Sequence, residues 1–163
     1  MSDISVIARH ALTVLAGQLA VMAFGVTDTI VAGRFSADAL AALSVASAVF
    51  VSVYVSLMGV LQALLPVWAE QHGRGETAAI GQSFRQSLYL AAAASVLGMG
   101  VLLFPEPLLR LTEVPDAMRE SVRDYLIIVG WALPSALFFR LYTTLNQALG
   151  RPQLVTWIQV GAL

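Results

Sequence analysis

Cysteine and lysine are both absent from the 163-residue chain. Without cysteine there is no disulfide, no thiolate nucleophile and no thiolate-bound zinc. Without lysine there is no amine for a Schiff base and no P-loop lysine to reach a nucleotide's phosphates. All nine positive charges are arginine. Charge of either sign is scarce, at 12% of residues against about 25% in a soluble domain. The net charge of −1 provides no basic footprint, so nucleic acid is not an expected partner. What the chain does have is apolar residues, 58% of the total, and a mean hydropathy of +0.79. An ordinary soluble domain is excluded, and a membrane protein in contact with lipid remains.

The charges cut the sequence into apolar blocks. None occurs between Arg9 and Asp28, or across the 31 residues from Ala39 to Ala69. A third block, Gln86 to Pro105, has 20 residues, and a fourth, Tyr125 to Phe139, has 15 before Arg140 interrupts it. About 20 apolar residues in a helix cross a ~30 Å hydrocarbon core. Spans are therefore expected near 7–31, 39–65, 83–104 and 121–149, and a fifth starts at 153 and is incomplete at 163. Runs such as LYLAAAASVLGMGVLLF do not alternate as barrel strands do. The expected fold class is all-α, a polytopic membrane helix bundle.

The connections carry few residues apart from 70–82 and 106–124, and neither looks like a domain linker. Asp116 is placed to cap the fourth span. Arg9, Arg74, Arg85 and Arg151 fall on one side of the membrane, and Arg34, Arg110, Arg119 and Arg123 on the other. The positive-inside rule thus ties at four against four and does not orient the chain. Because the last apolar stretch has entered a span without finishing it, a longer polytopic protein continuing beyond Leu163 is expected.

Polar residues inside the spans are the functional candidates. At 100° per residue, Gly17, Gln18, Val21, Gly25, Asp28 and Thr29 share one arc of the first span, which should face other helices or a wet cavity. A carboxylate at depth costs at least ~2.5 kcal/mol and is retained for a function. Desolvation penalises its charged form, so such a group suits proton uptake and release. The plainer alternative ends the span at Thr27 and leaves Asp28 among the headgroups. Gln18 by itself would more often bond a neighbouring helix than a ligand.

In the fourth span, Arg140, Thr143, Thr144 and Gln147 share a face, and Pro134 should kink the helix one and a half turns earlier. These residues suit the lining of a translocation path. Alternatively, Arg140 snorkels to the near interface while the threonines and Gln147 bond neighbouring helices. The axial offset between Asp28 and Arg140 argues against a salt bridge.

Two ridges of small residues, Ser44-Ala48-Ser52-Ser56 and Ser87-Ala91-Ser95, read as helix-packing surfaces. The aromatics Tyr54, Trp68, Tyr89, Tyr125, Trp131 and Trp157 fit interface belts or cavity walls equally well. Catalytic constellations are missing: His10 and His72 have no metal-ligand partner at helical spacing, and no G-x-S-x-G occurs. No enzyme and no cofactor are expected.

Three segments resemble the multidrug and toxin extrusion (MATE) transporters of the NorM-like branch. They are GVTDTIVAGRFSADALAALSVASA from Gly25, LPVWAEQHGRGE from Leu65, and VPDAMRESVRDYLIIVGWALPSALFFRLYTTLNQALGRPQL from Val114. The order and spacing extend the resemblance over nearly the whole chain. Departures from the family pattern are Thr13, where proline is frequent, Glu70 for glutamine, Arg74 within the Gly-x-Gly, and Arg140 at a commonly neutral position.

The resemblance implies a twelve-helix, two-lobed transporter of which this chain forms part of the N-terminal lobe, with a cytoplasmic N-terminus in the plasma (inner) membrane. It implies antiport of small organic, cationic compounds coupled to H+ or Na+, with Asp28 as the ion-coupling carboxylate. Gln18, Thr29, Thr143, Thr144 and Gln147 are then candidate pathway-lining residues. A lipid-linked precursor flippase of the same superfamily and a non-transporting membrane fragment are the alternatives. The flippase would want a strongly cationic cavity, which Arg140 alone does not supply.

Overall fold

The computed structural model describes residues 3–111 and 115–151, together with Val155 and Ile158. All regular structure among the described residues is helical. In chain order it consists of α1 (Asp3–Phe35), α2 (Ala37–Gln62), α3 (Leu64–Gly73), α4 (Thr77–Leu103), α5 (Glu106–Leu111) and α6 (Asp116–Ala148). Three stretches are long and apolar enough to cross a bilayer, namely Ala37–Gly73, Thr77–Leu103 and Met118–Ala148. Apart from Val155 and Ile158, the expected fifth span lies outside the described residues.

Helices α1, α4 and α6 are longer than their apolar blocks, because polar ends continue the backbone ladder beyond the charge-free stretch, whereas the block from Ala39 to Ala69 is shared between α2 and α3. Between α1 and α2 there is only Ser36, held extended at φ −166°, whose Oγ accepts the Ala39 N–H at 2.9 Å. That side chain satisfies one of the free donors at the start of α2. At the start of α6, Pro115 takes the N-cap position. Asp116 is the first helical residue instead of the expected cap, and it pairs with Arg119 at 2.7 Å. The segment expected as a loop from residue 70 is helical as far as Gly73 and again from Thr77.

Two Gly-Arg motifs close helices. After α3, the Gly75 N–H donates to His72 O at 3.0 Å and the Glu76 N–H to Gln71 O at 2.9 Å. After α6, Gly150 N–H bonds Gln147 O at 3.1 Å and Arg151 N–H bonds Asn146 O at 2.8 Å. Both are Schellman closures, which need a left-handed residue just beyond the helix. Gly75 at φ +73° and Gly150 at φ +67° supply it.

Proline acts differently at two of its helical positions, Pro66 and Pro134. Pro66 has no N–H, and its ring crowds the carbonyl of Gln62 four residues back. Ala63 alone separates α2 from α3 there; it keeps helical angles, φ −60° and ψ −17°, and its N–H still donates to Gly59 O at 3.2 Å, so the chain runs on as one stretch from Ala37 to Gly73. Pro134, where a kink is expected, lies inside α6, and the helix continues on both sides of it. Leu133 and Leu137 on either side are fully buried, so packing holds the turn that the missing hydrogen bond weakens.

The core forms around α6, whose Val122, Leu126, Leu133, Leu137 and Leu141 are buried together with Leu61, Ala46, Ala91 and Leu102 of α2 and α4. Ser87, Ala91 and Ser95 are buried, as a packing ridge should be. A Cβ on Gly98 would come within 2.6 Å of Leu57 Cδ1 and closer still to Leu133 Cδ2, so α4 is in tight contact with its neighbours there. The Ser44-Ala48-Ser52-Ser56 ridge is exposed instead. Its lower part borders an open apolar groove of about 500 Å³ between α2 and α4.

Candidate functional site

Asp28 does not sit at a helix end. Two further turns of α1 follow it, through Phe35. The α1 helix packs along α2, and where the two approach the first part of α6 they enclose a groove of about 480 Å³. Asp28 lines it with Val31, Ala32 and Phe35 of α1, Ala39, Ala42 and Leu43 of α2, and Ser121 and Tyr125 of α6. The sequence had not singled out Ser121, and Tyr125 had been assigned only to a belt or a wall. Their i, i+4 spacing on the amphipathic start of α6 is the signal that places both on one face.

The carboxylate is exposed and has no hydrogen-bond or ion-pair partner among the described residues. Its threonine neighbours do not bind it. Thr27 Oγ1 donates to Ala23 O and Thr29 Oγ1 to Gly25 O, each at 2.8 Å, so both hydroxyls are satisfied within the helix. Gln18 and Gly25 are exposed, as are Leu15, Leu19, Met22, Val26 and Ile30. The polar arc of α1 is therefore not distinguished by burial from its apolar side.

The second group of candidates lies elsewhere. Thr143 and Thr144 are buried, and their hydroxyls donate to Phe139 O and Arg140 O of the same helix at 2.9 Å. Gln147 is partly buried. From Tyr125, beside Asp28, to Thr143 the helical rise is about 27 Å, so the two groups occupy opposite ends of α6. No salt bridge joins Asp28 to Arg140.

Arg140 instead reaches α2. Its Nη2 donates to Gln62 Oε1 at 2.7 Å, while its Nε is buried without a hydrogen-bond partner. Neither Gln62 nor this contact was legible in the sequence, because 78 residues separate the partners. A second cross-helix link joins α3 to α4. The fully buried Trp68 donates from Nε1 to Ser83 Oγ at 2.9 Å, and Ser83 donates in turn towards Gln71 Oε1 at 3.1 Å. Trp68 is thus neither a belt nor a cavity wall. Glu70 and Arg74, two of the departures from the family pattern, are each other's partners in an exposed i, i+4 ion pair at 2.5 Å. Among the described residues no cluster of His, Cys, Asp or Glu could hold a metal ion.

Long apolar helices, whose backbone groups are satisfied within the helix, define a multi-pass α-helical membrane protein. The MatE family model matches residues 14–163, and the chain belongs to that family. It is 38% identical over 150 residues to a probable multidrug resistance protein NorM of Aromatoleum aromaticum, covering 92% of this chain and 32% of the relative. A probable multidrug resistance protein NorM of Neisseria meningitidis serogroup B is 28% identical over 164 residues, 99% of this chain and 36% of the relative. The multidrug resistance protein MdtK of Pectobacterium atrosepticum is 35% identical over 133 residues, 80% of this chain and 29% of the relative. The chain therefore spans about a third of the length of these curated relatives. No solved structure matches it.

Proposed function

We propose that the chain serves in a multidrug efflux antiporter, in which Asp28 couples export of small organic, cationic compounds to the entry of H+ or Na+. The observation that carries this reading is the unpaired carboxylate within α1, facing the groove it shares with Ser121 and Tyr125. Family membership and the names of the relatives support transport over catalysis. The proposed setting is the inner membrane, with the N-terminus in the cytoplasm.

In its charged form Asp28 attracts a cation in a groove whose other walls are mostly apolar side chains. Proton uptake removes that charge and weakens the hold on a cationic substrate. Bound Na+ competes for the same oxygens. Binding of substrate and of the coupling ion is then reciprocally linked through one side chain. The groove's Tyr125 hydroxyl and Ser121 offer hydrogen bonds to whichever occupant is present.

The test is Asp28→Asn in the full-length protein. The expected result is normal membrane insertion with loss of ion-driven efflux of a cationic dye from everted vesicles. Efflux at the wild-type rate by that variant would refute the assignment.

A further inference from the structure

Arg140 is a fixed positive charge inside the bundle. A guanidinium keeps its proton at any pH a protein tolerates, so Arg140 has no neutral form in which to meet an apolar surrounding. Bilayer thickness sets its depth along α6. The charged opening turns of that helix end at Asp124. About 20 residues cross the hydrocarbon core, so a core entered at Tyr125 is left near Leu145. Helical rise then puts the Arg140 Cα about 7 Å inside the boundary. Its side chain leans back towards the N-terminus of α6 and reaches deeper still. The near-side lipid phosphates are out of its reach.

The groups that meet the guanidinium do not balance its charge. Nη2 donates to Gln62 Oε1 at 2.7 Å, and Nε is buried with no partner. That bond occupies the amide's oxygen and leaves Gln62 its NH2 group as a donor. Tyr54, about two turns earlier on α2 and stacked on Phe50, is close enough to interact electrostatically with Arg140. Its phenol adds another donor. Among the described residues no carboxylate pairs with Arg140, and Glu70, Asp116 and Glu106 pair with Arg74, Arg119 and Arg123 instead. A charge at this depth is costly unless an opposite charge faces it.

We propose that Arg140, Gln62 and Tyr54 form a binding site for one carboxylate. The planar guanidinium presents paired N–H groups at the spacing of two carboxylate oxygens. The Gln62 NH2 and the Tyr54 hydroxyl flank it with neutral donors. Nε is already out of contact with water, so an oxygen that meets it displaces no solvent there. Two sources present this same group. One is an Asp or Glu in the part of the protein outside this chain, which spans about a third of the length of its curated relatives. The other is a small carboxylate solute that enters the bundle.

The experiment reads thermal unfolding of the full-length protein in lipid nanodiscs, without substrate or ion gradient. For a solute source the probe is sodium benzoate, compared with sodium chloride at equal ionic strength. Benzoate should raise the wild-type Tm above its value in chloride and should not do so in Arg140→Gln. Tyr54→Phe keeps the ring and removes one donor. It should raise the benzoate concentration needed for half the effect about 5-fold, the worth of one hydrogen bond. This variant also carries the comparison if Arg140→Gln fails to assemble.

For a source within the protein, each Asp and Glu of the apolar segments outside this chain is changed to Asn or Gln, alone and together with Arg140→Gln. One such position should lower Tm as Arg140→Gln does, and the double variant should regain stability over either single one. That recovery is expected because each single change strands a buried charge that the second removes. The site is overturned if chloride raises Tm as much as benzoate. It is equally overturned if benzoate has no effect on the wild type and every double variant shows the sum of its single losses. Neither arm reads transport, so the outcome at Arg140 and the outcome at Asp28 are judged separately.

Discussion

Gly98 offers a test of the packing with a sign that can be worked out beforehand. It sits on α4 where the helix meets Leu133 of α6 and Leu57 of α2, and a methyl group there would overlap both leucine side chains. Leu133 is fully buried, so it has little room to withdraw. Overpacking of this kind costs about 1–3 kcal/mol. Alanine also brings a gain of about 1 kcal/mol in helix propensity over glycine, leaving a net loss of about 0–2 kcal/mol for Gly98→Ala. Gly98→Val adds a branched side chain and should exceed that.

Gly100, two residues on in the same helix, meets nothing within 4 Å. Gly100→Ala should therefore keep the propensity gain and stabilise by about 0.5–1 kcal/mol. The comparison of the two alanines removes detergent and expression effects common to both. Thermal unfolding followed by tryptophan fluorescence in detergent would measure it. Combining Gly98→Ala with Leu133→Val should recover part of the loss by making room. A Gly98→Ala protein as stable as Gly100→Ala would refute the close approach.

Two other substitutions probe single hydrogen bonds. Ser83→Ala should cost about 1–3 kcal/mol, because it leaves the indole N–H of a fully buried Trp68 without its acceptor; thermal unfolding of the variant, together with a blunted effect of Ser83→Ala in a Trp68→Phe background, would check it. Ser36→Ala should cost about 1 kcal/mol through loss of the cap on Ala39, while Ser36→Asp should leave stability near wild type by the same assay.

Much of the fold was legible because its cause is local. Bilayer thickness fixes how many apolar residues a span needs, so charge-free blocks located the helices. Gly75 and Gly150 fall in segments that resemble the family, but their physical reason needed backbone angles: both take the left-handed conformation that ends α3 and α6. The two prolines show the limit of local reasoning. Each lacks the same N–H, yet a turn at Ala63 separates α2 from α3 ahead of Pro66, while α6 stays uninterrupted past Pro134. The same limit explains the small-residue ridges, where identical spacing gave one buried surface on α4 and one exposed surface on α2.

The candidate site divides in the same way. The sequence by itself determined that Asp28 is a carboxylate within an apolar run and that Thr143, Thr144 and Gln147 share a face, since both follow from composition and helical period. Only the tertiary structure decided what each residue meets. It placed Asp28 in a groove with Ser121 and Tyr125, gave Arg140 a partner 78 positions away, and turned the threonine hydroxyls back onto their own helix. Helical periodicity specifies a direction around an axis, whereas a partner depends on which other helix lies in that direction and at what depth, and that is set by the packing of distant segments.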